Sequence, residues 1–470
     1  MTAARILAKA AGRSRFQDAP QKVRAAYASF LLDTVAVMSA GAAHPSVSAA
    51  RAAFVRSGGN GNASAVGFST GTTASTAALV NGAAMTVLQL QDGHRKARGH
   101  PMSHVLPAAL AMAEETGADT AAFLDAMMAG YEVCARIGCA LGGMQPLLHD
   151  TGTFGTIGAA VATACLIVDP ADDRIDLIAA TIENAAAVAL FPFRDTCMEG
   201  AGVHHLFVGM GTQNGVQAAR AAHAGLTPSQ ATLERFFGPR AGEDFDPEAL
   251  TCEIGPDGCW SSYQIMRAYQ KWHPVCAHLG PMLDCVELLR ERMNGFDAGG
   301  IAAVNVEVYA TALQYDAPEP ASDLAARFSF KTAAALAITG GGLSPESFFP
   351  ENFMRAEVRE MAARISLVAS EDLDMLYPEH RPARVEMVFT DGSRERAEVL
   401  FPKGDGLNTL SREDVGIKAR HLMVPVWGSP ATEDLIAIAD TIASKPEENL
   451  PGKLGNILRR DFAPTTTVSL

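Results

Sequence analysis

Residues 154–167 read Phe-Gly-Thr-Ile-Gly-Ala-Ala-Val-Ala-Thr-Ala-Cys-Leu-Ile, a run of Gly, Ala and Thr broken by few large side chains. A helix of that composition cannot fill space around itself, so its backbone must lie close to its neighbours. The same texture recurs at 73–90, 107–117, 120–143, 174–190 and 210–225, which predicts a large body of helices packed through small side chains. Across 470 residues the chain is 48% hydrophobic but only 7% aromatic, which fits such a core, and its length allows two or three domains. No apolar stretch reads as a membrane span and the N-terminus lacks a secretory pattern, so a cytoplasmic protein is expected.

The formal net charge is −14, yet Gln91-Asp-Gly-His-Arg-Lys-Ala-Arg-Gly-His-Pro-Met-Ser-His104 gathers His94, Arg95, Lys96, Arg98, His100 and His104 around a single carboxylate, Asp92. This cationic island joins two Ala-rich helical stretches. Three imidazoles, two glycines and a proline suit a shaped loop better than a solvated charge run. Two further loops carry basic groups. His149 stands at the mouth of the 154–167 helix, where unpaired N–H groups favour a carboxylate; with this loop taken alone, a capping or core histidine is the favoured reading. Arg194, His204 and His205 precede the small-residue helix from 210. Glu132 and Arg136, four apart, read as an intrahelical ion pair.

Beyond residue 268 the texture changes. Residues 301–310 alternate as a half-buried strand, 384–401 reads as a hairpin turning at Asp391-Gly392, and 328–338 between them is helical. Residues 411–444 become helical again. The expected organisation is therefore mainly α: an all-helical domain over 1–267, a smaller α+β lid over 268–403, and C-terminal helices over 404–470 returning to the first domain. A domain inserted in this way tends to hinge over a cleft.

The eight cysteines form no Cys-x-x-Cys pair and are expected to be reduced thiols. The acidic balance argues against a nucleic-acid partner. A Gly/Asn-rich loop at 58–67 lacks the Lys-Ser/Thr ending of a phosphate loop, and no dinucleotide, zincin or serine-hydrolase motif is present. His100 and His104 have no third ligand nearby, so no metal is expected. What remains is an Asp, several His and a Lys amid clustered cations. That inventory suits proton removal beside a carboxylate: cations stabilise enediolate-like charge, an Asp or His acts as base, and a His or Lys donates the proton. Within the island, His94, Lys96 and Arg98 are candidates to bind a small anionic carboxylate.

Asn81-Gly82 leading to Asp92-x-His94, then Gly99-His100-Pro101, Gly130-Tyr-Glu-Val-Cys-Ala-Arg-Ile-Gly138, His149-x-Thr-Gly-Thr-x-Gly, Lys271-x-x-Pro-Val-Cys276, Phe328-Ser and Pro402-Lys-Gly resemble, in order, the motifs of the MmgE/PrpD family. That family includes 2-methylcitrate dehydratase, cis-aconitate decarboxylase and iminodisuccinate epimerase. The resemblance implies a helical domain with an α+β lid, a homodimer, no cofactor, and a site between the domains. It assigns catalytic roles to Asp92, His100, His149 and Lys271, with Asp92 or His100 as base and His149 and Lys271 as acid and carboxylate anchor. It adds Cys276 to the substrate-binding residues. His204 stands where the family often has Lys, as a replacement anchor, and Thr332 where it usually has Tyr. Gln91-Asp92-Gly93-His94 also departs from the paired aspartates of many members. The expected activity is that of a hydro-lyase like 2-methylcitrate dehydratase. Decarboxylation of a cis-aconitate-like acid, epimerisation of a substituted succinate, and carboxylate binding without catalysis are the alternatives.

Overall fold

The computed structural model describes residues 1–167, 174–340 and 342–462; residues 463–470 of the expected C-terminal segment lie outside these. Its buried apolar side chains form two clusters. The first is mainly helical and draws on residues 3–265 together with 415–458. At its centre lie the helices Ala74–Ala83, Pro101–Thr116, Thr120–Ala140, Phe154–Ile167 and Leu206–His223. Every residue from Phe154 to Leu166 is buried, as a helix with no polar face requires.

Close approach of backbones sets this packing. A Cβ on Gly130 would stand 2.7 Å from the Gly158 carbonyl oxygen. Where Ala74–Ala83 crosses Leu206–His223, a Cβ on Gly82 would stand 2.8 Å from the Gly209 Cα, and one on Gly209 would collide with the Leu79 carbonyl oxygen. Glycine is needed at these crossings for room. The Glu132–Arg136 pair forms as the spacing implied, but it is buried. Glu132 also accepts from the Tyr27 hydroxyl (2.9 Å) and the Gln264 amide (2.9 Å), so the pair ties helices to a loop instead of decorating a surface.

The second cluster surrounds a four-stranded sheet ordered Ile365–Ala369, Ile301–Val308, Ala383–Phe389, Arg394–Val399. The last three strands are antiparallel neighbours, with Val304 opposite Met387 and Ala383 opposite Val399. The hairpin turns where expected, with Gly392 at φ 87° and the Asp391 carboxylate accepting from the Ser393 amide. Strand Ile365–Ala369 was not legible from alternation. It adds in parallel to Ile301–Val308 and keeps mostly exposed or half-exposed side chains. Helices Gly280–Arg292 and Phe330–Gly340 contribute to the apolar cluster beside the sheet.

Two features connect the clusters. Gly93-His94 of the island pairs antiparallel with Ala268-Tyr269, so the segment leading to Lys271 lies against the island. Helix Arg412–Ile442 returns to the first cluster beside Gln21–Ala43. By length and composition Gln21–Ala43 could cross a membrane, but 78% of its apolar window is buried inside the fold and it carries Asp33.

Replacing Gly209 with Ala should cost about 1–3 kcal/mol, because the new methyl meets backbone that cannot rotate away. The check is thermal unfolding of Gly209→Ala beside Gly202→Ala, whose Cβ meets nothing within 4 Å and which should unfold with the wild type.

Candidate active site

A cavity of about 450 Å3 opens between the two clusters. The island contributes Arg98 and His100 to its wall, the loop before the Phe154–Ile167 helix contributes His149 and Asp150, and the segment after residue 268 contributes Lys271 and Cys276. The wall from the second cluster carries Tyr315, Phe328, Tyr377 and Arg381. Gln89 (φ 52°), Arg98 (φ 51°) and Leu147 (φ 70°), all lining residues, hold left-handed backbone without being glycine. Such strain persists only where surrounding packing dictates the conformation.

His100, Asp150 and His149 form the chemical centre. The Asp150 carboxylate lies 3.9 Å from His100 Nε2 and 3.2 Å from His149 Nδ1. His100 Nδ1–H donates to the Asp92 backbone carbonyl, which leaves the Nε2 lone pair facing Asp150 and the cavity. In His149 the assignment is reversed. The Thr151 backbone N–H points at Nδ1 from 3.1 Å, and a main-chain N–H can only donate, so the ring proton belongs on Nε2. One imidazole thus offers a base and the other a donor, on either side of one carboxylate.

Charge reinforces this arrangement. Burial pushes the His100 imidazole down to about 4, so it is neutral and basic at pH 7. Burial alone would raise Asp150, but His100 and His149 outweigh it and hold the carboxyl at about 2. Lys271, only 6% exposed, is lowered by burial to about 8, with Cys276 and Asp150 opposing the drop. It is a cation at neutral pH that gives up its proton more readily than an ordinary lysine. Two further cations stand at the rim on aromatic faces, Arg98 over Tyr377 and Arg194 over Tyr315, each 5.6 Å from the ring centroid. The Tyr315 ring in turn stacks on His278 at 4.5 Å.

The remaining expected residues fall elsewhere. Asp92 is completely buried and does not line the cavity. Its carboxylate accepts from the Met102 amide (2.9 Å), the Ser103 amide (3.0 Å) and the Ser103 hydroxyl (2.6 Å), closing the N-terminus of helix Pro101–Thr116. Burial raises it to about 6 against those bonds. Its contact with the site runs through its carbonyl to His100, a positioning role in place of the expected base. His94 is corrected outright: Nε2 donates to the Gln264 carbonyl at 3.2 Å, Nδ1 accepts from the Ala97 amide at 3.1 Å, and no cavity surface remains to it. Lys96 points to solvent away from the cavity. His204 is buried behind His149, ring centroids 4.9 Å apart, and does not line the cavity. Thr332 bonds Ser329 at the start of helix Phe330–Gly340. Cys276 does line the wall. Asp150, Arg381 and Tyr315 were not singled out beforehand. Asp150 stood in the quoted loop next to His149, and an acid adjoining a candidate histidine was the signal available.

The profile of the MmgE/PrpD N-terminal domain matches residues 5–241 and that of the C-terminal domain residues 273–443. The chain belongs to the MmgE/PrpD family. Among curated proteins it is 26% identical over 354 residues to a cis-aconitate decarboxylase of Aspergillus terreus, covering 70% of each chain. It is 24% identical over 390 residues to the Homo sapiens cis-aconitate decarboxylase, covering 78% of this chain and 76% of that one. The Mus musculus enzyme of the same name is 24% identical over 389 residues.

Any carboxylate bound in this cavity should owe its pH dependence to Lys271. Affinity for a saturated tricarboxylate such as propane-1,2,3-tricarboxylate should hold near neutrality and fall as pH rises through about 8, where the ammonium is lost. Calorimetric titration across that range checks it, and Lys271→Gln should bind weakly without that alkaline fall.

Proposed function

We propose that this protein is a cofactor-independent lyase that acts on a small di- or tricarboxylic acid by moving protons next to a carboxylate. The observation that carries the reading is the His100–Asp150–His149 group beside Lys271: one imidazole with its Nε2 lone pair free, a carboxylate, and a second imidazole with its proton on Nε2, in a cavity rimmed with guanidinium groups. Lys271, Arg98 and Arg194 anchor the substrate carboxylates. His100 Nε2 takes a proton from the carbon beside a carboxylate, or holds one in reserve for return. His149 Nε2–H and Lys271 supply protons. Assembly as a homodimer belongs to the same reading.

Within this class we favour decarboxylation of a cis-aconitate-like acid, a reading supported by the curated relatives that carry that name. A C–C bond breaks, carbon dioxide leaves, its electron pair spreads into the adjacent unsaturated carboxylate, and one proton from His149 or Lys271 closes the new C–H bond. Elimination of water from a methylcitrate-like acid is the second reading. It is favoured by the opposite tautomers of His100 and His149, since that reaction needs a base at carbon and an acid at the departing hydroxyl together.

A proton NMR time course in D2O with cis-aconitate, 2-methylcitrate, citrate and substituted succinates separates them. Decarboxylation should release carbon dioxide and place one deuterium in the product; dehydration should give a new vinyl signal with no carbon dioxide. Exchange without a new product would move the protein to the epimerases. His100→Ala and Asp150→Asn should each lose about a hundredfold or more in kcat, within the range for general acid–base groups. Unchanged turnover in His100→Ala would sink the assignment.

A further inference from the structure

One cluster of ligating groups stands just behind the cavity wall. His149, Cys197 and His204 each bring a ligand atom within 4.8 Å of the other two, and all three are buried. His204 is 1% exposed and its Nδ1 has no hydrogen-bond partner. A ring nitrogen taken from water and left unpaired costs about 1–3 kcal/mol, so its presence calls for an explanation. The other nitrogen, Nε2, lies 3.4 Å from the side-chain amide of Gln89, which keeps the ring in place. Cys197 donates its thiol only to the Arg194 carbonyl at 3.0 Å, a weak bond that is readily given up.

We infer that His149, Cys197 and His204 form a binding site for a thiophilic divalent cation of the Zn2+ class. Two imidazoles and a thiolate are the borderline-soft donor set that such ions prefer, and they exclude Mg2+ and Ca2+, which need oxygen. The three ligand atoms lie within 4.8 Å of one another, close enough for one ion to engage all of them. Binding is balanced by loss of the Cys197 thiol proton to solvent, leaving a metal–thiolate bond. The neighbouring Asp150 carboxylate, 3.2 Å from His149, offsets the remaining positive charge. Three protein ligands leave a fourth position, and because His149 is the member that lines the cavity, that position opens towards it. The cation is an inhibitor, since it takes the His149 nitrogen out of proton transfer; that consequence, unlike the binding itself, rests on the role given to His149 above.

A second group, His273, Asp284 and Glu287, also clusters. It is already satisfied: His273 Nε2 bonds Asp284 at 2.7 Å, and the other Asp284 oxygen accepts from the Lys403 amide. It contains no sulfur and serves as the control.

The test uses the purified full chain, stripped with chelator and titrated with Co2+ and Zn2+ in the absence of substrate. One Co2+ should bind per chain with release of a proton, a thiolate-to-cobalt charge-transfer band and the visible bands of tetrahedral cobalt, and Zn2+ should displace it with loss of those bands and no further proton. Cys197→Ala should lose the charge-transfer band and bind more weakly by more than the roughly tenfold to hundredfold that losing a mere outer partner costs. His204→Gln provides an independent variant, and both should keep the wild-type melting temperature in chelator. Cys259→Ser and His273→Gln should bind as the wild type does. No uptake, or a thiolate band that survives in Cys197→Ala, would overturn the site. A thiolate band with turnover undiminished by Zn2+ would support the site and remove His149 from the reaction instead.

Discussion

The Lys418 ammonium, 4% exposed, is the point on which the two halves of the active site hang. It projects from the long C-terminal helix, pairs with Asp33 at 2.7 Å, and donates to the carbonyl oxygens of Leu90 (3.2 Å) and Lys271 (2.6 Å). Those two carbonyls belong to the stretch of chain entering the island and to the segment that carries Lys271 into the cavity wall. An ammonium this deep is tolerable only while each of its protons has a partner, and Asp33, itself raised by burial and lowered again by Lys418, is equally dependent. The cost of disturbing any one of the four groups therefore falls on the others. Relative placement of His100 and Lys271 is fixed by this shared requirement, from behind the cavity wall and by main-chain carbonyls.

The island and the Lys271 segment are joined a second time by the short antiparallel pairing of Gly93-His94 with Ala268-Tyr269. A side chain at position 93 would strike the Tyr269 ring, so the pairing and the glycine imply one another. His94 belongs to this seam. Its two ring nitrogens are spent on Gln264 and Ala97, and it is as much a part of the framework as the apolar residues around it.

Much of this was legible in the sequence because the relevant physics is local. Small-residue helices announce themselves by composition, as Phe154–Ile167 does, and the hairpin at Asp391-Gly392 by alternation and turn chemistry. His100, His149 and Lys271 stood out as cations that an acidic chain has no general reason to gather. What failed depended on direction in space. Sequence proximity placed Asp92 and His94 with His100, but the chain reverses at Pro101, so the Asp92 carboxylate meets the new helix instead of the cavity. Strand Ile365–Ala369 lies at the edge of the sheet in parallel pairing, where neither alternation nor a hairpin turn marks it. Asp150 meets His100 from fifty residues along the chain, and Arg381 stacks on Tyr269 from more than a hundred, separations that no local spacing rule reaches.

The left-handed backbones at Gln89, Arg98 and Leu147 carry a consequence for substrate range. On the helical side of the cavity these lining residues hold conformations that only the surrounding packing sustains, and Gly99 beside them has no room for a Cβ, which would meet the Phe154 ring and the Asp150 carboxylate, so that wall has little slack to follow a different acid. The opposite wall is built chiefly from the side chains of Tyr315, Tyr377 and Phe328, which stand on turns between the helices and strands of the second cluster. Divergence in what such a chain accepts is thereby channelled to one face of the cleft. The face that carries His100, His149 and Asp150 behaves almost as a rigid casting, and whatever shape the cleft is to fit is negotiated across from it.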